Sequence, residues 1–350
     1  MSGGVDSSVA ALLLLRAGYD VTGVTLRLRP DEWMTDREGG CCSLSDIEDA
    51  RRVCYRLGID HMVLNLIERF ERDVIGPFAA QYEGGTTPNP CVACNRHIKF
   101  GAMLERAELL GFDYVATGHY ARIGRSPSGR FLLKKSPAAK DQSYVLYMLT
   151  QHQLSRTLLP VGDYAKPRIR ALAEEAGLPV AHKRDSQEIC FVEDGDYAGF
   201  LERYTGREAP PGDFLDEAGN AIGRHRGVTH YTVGQRKGLG VSFGKPMYVT
   251  AIDAARNTVT LAGEAGRYVS ALTAGDLNWI PFDAPEGPLS VEAKVRYSAR
   301  PARAKLTPLP GGRARVGFET PQRSVAPGQA VVFYDGDLVL GGGTILETRR

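Results

Sequence analysis

Two hydrophobic patterns alternate along the first half of the chain. Apolar residues recur at helical spacing in three runs, each followed closely by a glycine, over 8–16, 46–57 and 100–110. Short apolar or β-branched runs fall between or after them, at 21–28, 61–66 and 114–117. Repetition of strand and helix at these lengths predicts an α/β fold with a parallel sheet and helices on both faces. Ligands of such sheets bind beyond the carboxyl ends of the strands.

The pattern changes after about residue 195. A breaker cluster, Pro210-Pro211-Gly212-Asp213, is followed by short alternating runs at 248–252, 258–261, 291–297, 314–319, 330–334 and 338–340. Such runs predict a small β-barrel. We therefore expect a catalytic α/β domain over 1–195, a central module over 196–265 and a carboxy-terminal β-barrel over 266–350.

Composition narrows the class of protein. A chain of 350 residues with 43% hydrophobic and 24% charged residues is typical of a globular protein with more than one core. Neither a membrane-spanning run nor a leader pattern is present, so we expect a cytoplasmic protein without a membrane partner. The net charge is only +2, but 33 of the basic residues are Arg and 10 are Lys. Arg suits phosphate and bases, although GC-rich coding produces the same bias.

A candidate phosphate loop opens the chain. Ser2-Gly3-Gly4-Val5-Asp6-Ser7-Ser8 runs directly into an apolar helix. Two glycines let the backbone approach an anion, and the helix amino terminus supplies N–H groups and a positive dipole end. Asp6 would repel a polyphosphate unless it helps to hold Mg²⁺. The alternative is an N-capped helix after a turn. The segment resembles the PP-loop of ATP pyrophosphatases and lacks the Gly-Lys-Ser/Thr of a Walker loop.

No strand precedes this loop, although phosphate loops normally follow one. Either the chain starts at an internal Met of a longer reading frame or the sheet lacks an inner strand. We expect the former, because a lost central strand exposes two ladder edges.

Six cysteines in a chain of this length do not predict a disulfide framework. Cys91 and Cys94 form a Cys-x-x-Cys pair with Arg96 and Lys99 close by, and positive charge lowers the pKa of a thiol and so favours the reactive thiolate. A structural metal knuckle is the alternative, but no second Cys-x-x-Cys completes it. Cys190, taken alone, is typical of a core cysteine.

Several stretches together resemble the tRNA-specific 2-thiouridylases, in the same order and over essentially the whole chain. They are 2–8, 87–100, Ala-Thr-Gly-His-Tyr at 116–120, Lys-Asp-Gln-Ser-Tyr at 140–144, 185–191, 231–240 and 340–343. Seven matches in the same order identify the family far more specifically than any one of them.

The resemblance implies a definite reaction. ATP adenylates O2 of uridine 34 of tRNA, and a cysteine persulfide delivers sulfur to C2. By position, Cys190 would carry the persulfide and Cys94 would attack it, leaving a transient Cys94–Cys190 disulfide. The resemblance also implies ATP contacts at Gly3, Gly4, Val5, Asp6, Ser7, Ser8, Leu26 and Gly118, and target-base contacts at Asn89, Pro90 and Cys91. It implies tRNA contacts at His119, Lys140, Asp141, Gln142, Arg296, Tyr297 and Gln329.

Cys91 departs from the family pattern, in which many members carry an Asp with acid/base duty. Cys91 cannot be assumed to inherit that duty. Three thiols, Cys91, Cys94 and Cys190, could instead hold a [4Fe–4S] cluster with one open iron. The cluster is the alternative hypothesis to the disulfide relay.

The expected partners are a tRNA of the Lys, Glu or Gln type and a sulfur donor such as a cysteine desulfurase or sulfur-relay protein. The protein itself is expected to be a monomer. Two rival functions remain. Another PP-loop ligase would need neither Cys94 nor Cys190, and a non-catalytic RNA-binding protein would release no pyrophosphate.

Overall fold

The computed structural model describes residues 1–30, 44–183, 189–192 and 195–350. The chain divides into two compact units. The first comprises residues 1–74, 91–192 and 337–339, and the second comprises residues 75–90, 193–336 and 340–350. The predicted domain boundaries near 195 and 265 remain predictions.

The helices of the described residues are mostly short. In chain order they are α1 Val5–Arg16, α2 Leu44–Leu57, α3 Ile67–Phe70, α4 Gly76–Glu83, α5 Pro90–Ala93, α6 Met103–Leu109, α7 Gln151–Ser155, α8 Lys166–Glu175 and α9 Tyr197–Thr205. Two π-helical stretches, Glu71–Ile75 and Cys94–Ala102, join them, and 3₁₀ turns occupy Ser143–Leu146, Val228–His230 and Glu264–Arg267. None of the helices in the described ranges has both the length and the apolar character that crossing a bilayer requires.

The strands follow the predicted change of pattern. They are β1 Gly23–Arg27, β2 His61–Asn65, β3 Val115–Ala116, β4 Ala121–Arg125, β5 Phe131–Lys135, β6 Thr157–Leu158, β7 Gly212–Leu215, β8 Ala221–His225, β9 Tyr248–Asp253, β10 Thr258–Ala262, β11 Tyr268–Trp279, β12 Leu289–Lys294, β13 Ala302–Leu309, β14 Arg313–Arg323, β15 Ala330–Asp335 and β16 Leu338–Arg349.

Parallel strands form the centre of the first unit, as predicted. β1 pairs with β2 and β3 pairs with β6, both in parallel register. Among the described strands these are two separate pairs, and the amino group of Met1 donates to the carbonyl of Val24 in β1. α6 covers β1, β2 and β3 through Met103 and Leu104. α1 and α8 share an apolar core built on Val5, Val9 and Ile169. The α/β prediction is confirmed.

The helix predicted over 100–110 is longer and differently wound. Helical structure begins at Pro90 and continues through the π-helix Cys94–Ala102 into α6. Proline is favoured in the first turn of a helix, where its missing N–H costs nothing. The polar run Asn95-Arg96-His97 interrupts the apolar periodicity, which is why the sequence pattern predicted only the later turns. π-Helical segments are rare and frequent at functional sites.

The second unit holds two β structures. A sheet of order β8-β7-β10-β9 surrounds an apolar cluster centred on Phe214, which is fully buried. Six strands in the order β11-β14-β13-β12-β15-β16 close into a barrel, because β16 also pairs with β11. Among these six strands, closure leaves no open edge. The predicted barrel is confirmed, although two of its strands, β11 and β13, were not predicted from the sequence pattern.

Candidate active site

The loop at the start of the chain is folded around the first turn of α1. Gly4 precedes the helix with an extended backbone, and within the described residues no side chain caps this end. Instead, the hydroxyls of Ser7 and Ser8 donate to the Gly4 carbonyl over 3.1 and 2.9 Å. The first N–H groups of a helix have no intrahelical partner and carry its positive dipole end. This amino terminus therefore has no side-chain cap from Gly4, and its free N–H groups suit an anion.

Two glycines are required here by close packing. Gly3 has φ +66°, and a Cβ on it would lie 2.5 Å from the carbonyl oxygen of Asp46. A Cβ on Gly118 would lie 2.6 Å from the carbonyl carbon of Asp6 and 2.7 Å from the nitrogen of Ser7. Of the three predicted ATP-contact glycines, Gly3 and Gly118 thus allow backbone segments to lie in close contact at the loop.

Three donors converge on the carboxylate of Asp6. The hydroxyl of Tyr120 donates to Oδ1 over 2.7 Å, and Nζ of Lys166 lies 2.7 Å from the same oxygen. Nζ of Lys140 lies 3.2 Å from Oδ2 and 5.1 Å from the centre of the Tyr120 ring. Two ammonium groups and one carboxylate leave an excess positive charge among these side chains. That excess suits phosphate oxygens.

The Lys-Asp-Gln turn places Lys140 at this carboxylate. Gln142 exchanges hydrogen bonds with Tyr120: its Oε1 accepts from the Tyr120 N–H, and its own N–H donates to the Tyr120 carbonyl. Asp141 accepts from the N–H groups of Ser136 and Ser143 and from the Ser143 hydroxyl. Asp141 and Gln142, predicted to contact tRNA, therefore bond within their own unit and hold Lys140 beside the loop.

Lys166 was missed by sequence reasoning. It is the first residue of α8, followed by Pro167, and its side chain is mostly buried. A lysine before a proline-initiated amphipathic helix is typical of a solvent-exposed helix start. Only the packing of α8 on α1 shows its role, so no local signal would have found it.

Cys94 begins the π-helix and is half-buried, whereas Cys91, one turn earlier, is exposed. The neighbouring Asn95 is buried, and its Nδ2 donates to the carbonyl of Val145 over 3.0 Å. Arg96 and Lys99 follow in the same π-helix. The start of this helix is therefore fixed to the turn that follows Gln142.

Cys190 lies in the same unit, in a turn closed by a hydrogen bond from the Val192 N–H to the Ile189 carbonyl. Phe191 is buried and packs edge-on against Phe70, with ring centres 5.8 Å apart. Phe70 ends α3, which packs against the π-helix that Cys94 begins. Both cysteines are reduced thiols, and each is attached to elements that meet at α3.

The iron–sulfur alternative is not supported. A [4Fe–4S] cluster needs its thiolate ligands to converge on one small site. Within the described residues, which include Cys91, Cys94 and Cys190, no three Cys, His, Asp or Glu side chains are grouped to bind a metal ion. The exposed Cys91 and the half-buried Cys94 and Cys190 do not form such a group.

Two further predicted residues of the first unit are placed inside it. Leu26 in β1 packs with the cluster under α6. His119 is buried; burial, together with the charge of Lys99, holds its pKa well below the usual range. Its Nδ1 lies 2.8 Å from the hydroxyl of Thr117. His119 is thus a neutral group of the interior next to Gly118.

In the second unit, Gln329 holds the segment that leads to Asn89 and Pro90. Its Nε2 donates to the carbonyls of Thr87 and Pro88 over 3.0 and 3.3 Å. The Thr87 N–H donates to the Pro327 carbonyl. Residues 87–90 are therefore fixed by the loop before β15.

Arg296 and Tyr297 are exposed after β12, and Nζ of Lys294 lies 5.4 Å from the centre of the Tyr297 ring. An exposed aromatic ring next to a cation offers a stacking face and a phosphate contact. Cys41 and Cys42, which are consecutive in the sequence, were interpreted as part of a loop beside the cleft. They lie outside the described residues.

Three sequence families match this chain in succession. They are described as the tRNA methyl transferase HUP domain, over residues 1–194, the tRNA methyl transferase PRC-barrel domain, over 198–263, and the aminomethyltransferase beta-barrel domain, over 269–345. Among solved structures, the NMN synthetase of Francisella tularensis aligns with 17% identity over 59% of this chain and 76% of its own, at a TM-score of 0.33.

Curated relatives match over almost their whole length. The tRNA-specific 2-thiouridylase MnmA of Acetivibrio thermocellus is 56% identical over 99% of this chain and 97% of its own. The enzyme of the same name from Clostridium acetobutylicum is 51% identical over 99% of this chain and 98% of its own. Identity of this extent over all the elements described above shows that the chain belongs to the family of tRNA-specific 2-thiouridylases.

Proposed function

We propose that this chain is a tRNA sulfurtransferase that converts uridine 34 of tRNA into 2-thiouridine at the expense of ATP, through a persulfide on Cys190. Membership of the family carries the overall reaction. The roles of individual residues rest on the geometry of the first unit and on the position of each residue in the family pattern.

The first half-reaction activates the uridine. O2 of the base attacks the α-phosphorus of ATP, and pyrophosphate leaves. A uridine carbonyl is a poor electrophile, and the adenylate supplies a leaving group at C2. The N–H groups of the Gly3–Ser8 loop and the ammonium groups of Lys140 and Lys166 would bind the phosphates and stabilise the charge that develops on them.

The second half-reaction transfers sulfur. The terminal sulfur of the Cys190 persulfide attacks C2, the C2–O bond breaks, and AMP leaves with the oxygen. The Cys94 thiolate then attacks Sγ of Cys190, which breaks the S–S bond to the transferred sulfur. The products are 2-thiouridine and a Cys94–Cys190 disulfide. The persulfide sulfur is reduced, the two cysteines are oxidised, and an external thiol must reduce the disulfide before the next turnover.

Mg²⁺ accompanies ATP in such sites, usually bound to phosphates and one or two carboxylates. Asp6 is the acid of the loop, and its oxygens already accept from three donors. A site made only of protein ligands for Mg²⁺ therefore does not fit this loop. The loop fits a Mg²⁺ ion that is bound mainly by the phosphates of ATP, with Asp6 as the carboxylate that would assist. The ion would neutralise phosphate charge.

The second unit would hold the tRNA. Asn89 and Pro90 would lie next to the target base, and Arg296, Tyr297 and Gln329 would contact the tRNA. The central module over 196–265 and the barrel over 266–350 are the proposed binding domains. If the phosphates of the tRNA dominate binding, the affinity for tRNA should fall steeply as the salt concentration rises. We further propose a cytoplasmic monomer that takes sulfur from a cysteine desulfurase or relay protein and acts on tRNAs of the Lys, Glu or Gln type.

The observation that carries the residue roles is the presence of Cys94, Cys190 and the Asp6 cluster in one compact unit. The test is nucleoside analysis of tRNA incubated with enzyme, ATP, Mg²⁺, dithiothreitol and a persulfide source. We expect 2-thiouridine from the wild type and none from Cys190→Ser or Cys94→Ser. Cys54→Ala, which changes a thiol buried in α2, is the matched control and should keep activity.

Three outcomes would overturn parts of the proposal. Unchanged 2-thiouridine formation by both serine variants would favour a PP-loop enzyme that needs neither thiol. An absence of tRNA-dependent pyrophosphate release would favour a non-catalytic RNA-binding protein. Pyrophosphate release without 2-thiouridine in the wild type would mean that the activated uridine is attacked by a different nucleophile.

A further inference from the structure

Cys91 and Cys94 lie one turn apart on one helical run. α5 covers Pro90–Ala93, and Ala93 keeps right-handed helical angles, φ −59° and ψ −44°, where the π-helix begins at Cys94. Residues three apart on an α-helix are surface neighbours, with α-carbons about 5 Å apart. Two cysteines can form a disulfide when their α-carbons are about 4.4–6.8 Å apart. The backbone spacing therefore permits a disulfide between these two thiols.

Solvent reaches these two thiols to different degrees. Cys91 is exposed, whereas Cys94 is half-buried. Two other residues of the same helical run, Val92 and Asn95, are only 9% and 3% exposed, so the run has one side packed into the protein. A thiol in solution therefore reaches Cys91 more readily than it reaches Cys94.

The position of Cys94 is fixed by the bonds of the helix that it begins. Nδ2 of Asn95 donates to the Val145 carbonyl over 3.0 Å, and Nε2 of Gln153 donates to the Phe100 carbonyl over 2.6 Å. The first bond joins the π-helix to a 3₁₀ turn of the same unit, and the second joins it to α7. A sulfur bonded to Cys94 is therefore held at a place that solvent reaches only in part.

The disulfide left by sulfur transfer would join two half-buried residues, Cys94 and Cys190. Thiol–disulfide exchange requires the attacking thiolate to reach one of the two disulfide sulfurs. A thiol from solution would have only limited access to either. Cys91 is already attached one turn from Cys94, and attack within one molecule avoids the loss of translational freedom that a second molecule incurs. Cys91 is therefore the thiol best placed to open this disulfide.

We propose that Cys91 is a resolving thiol: its thiolate attacks Sγ of Cys94, the Cys94–Cys190 bond breaks, and Cys190 leaves as a thiolate. This inference rests on the proposed function, in which sulfur transfer ends in that disulfide. One S–S bond forms and one breaks, the proton of the Cys91 thiol passes to solvent, and the exchange involves no net oxidation. Cys190 can then accept the next sulfur, while an external thiol reduces the Cys91–Cys94 disulfide through its exposed Cys91 sulfur.

The first test identifies the disulfide that remains after a single turnover of the wild type. Enzyme loaded with persulfide and freed of excess reagent is given ATP, Mg²⁺ and tRNA, quenched with acid, alkylated with N-ethylmaleimide and digested with trypsin. Trypsin leaves Cys91 and Cys94 in one peptide, 73–96, and Cys190 in another, 185–203. We expect mass spectrometry to find a disulfide within the first peptide and an alkylated Cys190 in the second. Cross-linked peptides would be the unresolved form.

The second test uses Cys91→Ser, which keeps both thiols that sulfur transfer consumes. This variant should complete one turnover and stop as the Cys94–Cys190 disulfide. With scarce dithiothreitol, its rate of repeated 2-thiouridine formation should fall at least about ten-fold below that of the wild type. Added dithiothreitol should restore the rate, because the external thiol then performs the slow exchange. Cys54→Ala, which removes a thiol buried in α2, is the matched control and should depend on dithiothreitol as the wild type does.

Three results would contradict this role for Cys91. The first is a wild type that stops with cross-linked peptides and an alkylated Cys91. The second is a Cys91→Ser variant that depends on dithiothreitol no more than the wild type does. The third is a Cys91→Ser variant that forms no 2-thiouridine at any dithiothreitol concentration, which would assign Cys91 to the transfer itself. Each of these leaves the proposed function standing, whereas activity in Cys190→Ser would refute the proposed function.

Discussion

Nζ of Lys166 lies 2.7 Å from Oδ1 of Asp6, although the two residues are 160 positions apart in the chain. Lys140 binds the other oxygen of the same carboxylate from a third part of the chain. Asp6 therefore holds two cations beside the uncapped amino terminus of α1. This arrangement resolves the apparent conflict of an acid in a phosphate loop, because the acid positions more positive charge than it cancels.

Replacing Lys166 with Met should cost activity at the adenylation step. A hydrogen bond to a charged group contributes about 1.5–3 kcal/mol, which corresponds to a loss of about ten- to a hundred-fold in kcat/KM for ATP. Initial rates of tRNA-dependent pyrophosphate release measure it. Arg168→Met, two residues along the same helix, is the control, since its partner Glu175 is at the surface. Equal rates for the two variants would exclude a role for Lys166 in nucleotide binding.

Gly118→Ala should displace the nucleotide loop. The new Cβ would lie 2.6 Å from the main-chain carbon of Asp6, and backbone cannot move away as a flexible side chain does. Overpacking of this kind costs about 1–3 kcal/mol of stability. We expect a lower unfolding temperature and a higher KM for ATP. Gly124→Ala is the control, because the nearest atom to its Cβ is the Cε of Lys134 at 4.0 Å. Similar behaviour of the two variants would count against the close packing at Gly118.

Stability should fall as the pH drops below about 6.5, the usual pKa of histidine. His119 and His225 both have a lowered pKa in the folded protein, mainly through burial. Below pH 6.5 the unfolded chain therefore binds protons that the folded chain does not, and this favours unfolding. Each such proton changes the free energy of unfolding by about 1.4 kcal/mol per pH unit.

The unfolding temperature measured between pH 7.5 and 5.5 checks this expectation. Nδ1 of His225 accepts from the Gly227 N–H, so its Nε2–H donates to the Asn257 carbonyl and the ring is neutral. His119→Gln should flatten the decline. His182→Gln, with its side chain 87% exposed, should not. A decline of the same steepness in both variants would mean that other groups cause it.

Gln329→Ala should loosen residues 87–90. It removes two hydrogen bonds to the carbonyls of Thr87 and Pro88, each contributing about 1 kcal/mol. Amide hydrogen exchange over this segment should become faster, and 2-thiouridine formation should fall. Gln322→Ala is the control, since the hydrogen bond from its side chain to the nearby Thr320 carbonyl is exposed. Unchanged exchange in Gln329→Ala would show that the Thr87–Pro327 backbone bond holds the segment alone.

Local patterns were enough to predict the elements near the loop. The apolar face of α1, the amphipathic α2 with its buried Ala50, Val53 and Cys54, and the β1–β2 pair all follow from periodicity and from glycines that end helices. Gly58, which follows α2, has φ +68°, a conformation that favours glycine. In these elements the residues that fix the structure are neighbours in sequence.

Long-range partners could not be predicted in this way. Lys166 and Lys183 each have an ordinary local context, but their partners Asp6, Asp46 and Asp49 lie more than 130 residues away in the chain. The π-helix at Cys94 was missed because its first turns are polar. The resemblance assigned Lys140 and Gln142 to tRNA, and only tertiary contacts revealed that they also support the loop.

The bonds from Gln329 and Pro327 to residues 87–88 have a consequence for biosynthesis. The segment emerges from the ribosome early, but the groups that fix it lie in the loop before β15, and Gln329 follows Thr87 by 242 residues. A nascent or prematurely terminated chain ending before β15 would carry the Thr87–Pro90 segment without these restraints. Nonsense mutations late in the reading frame should therefore abolish function even where the nucleotide loop has already folded.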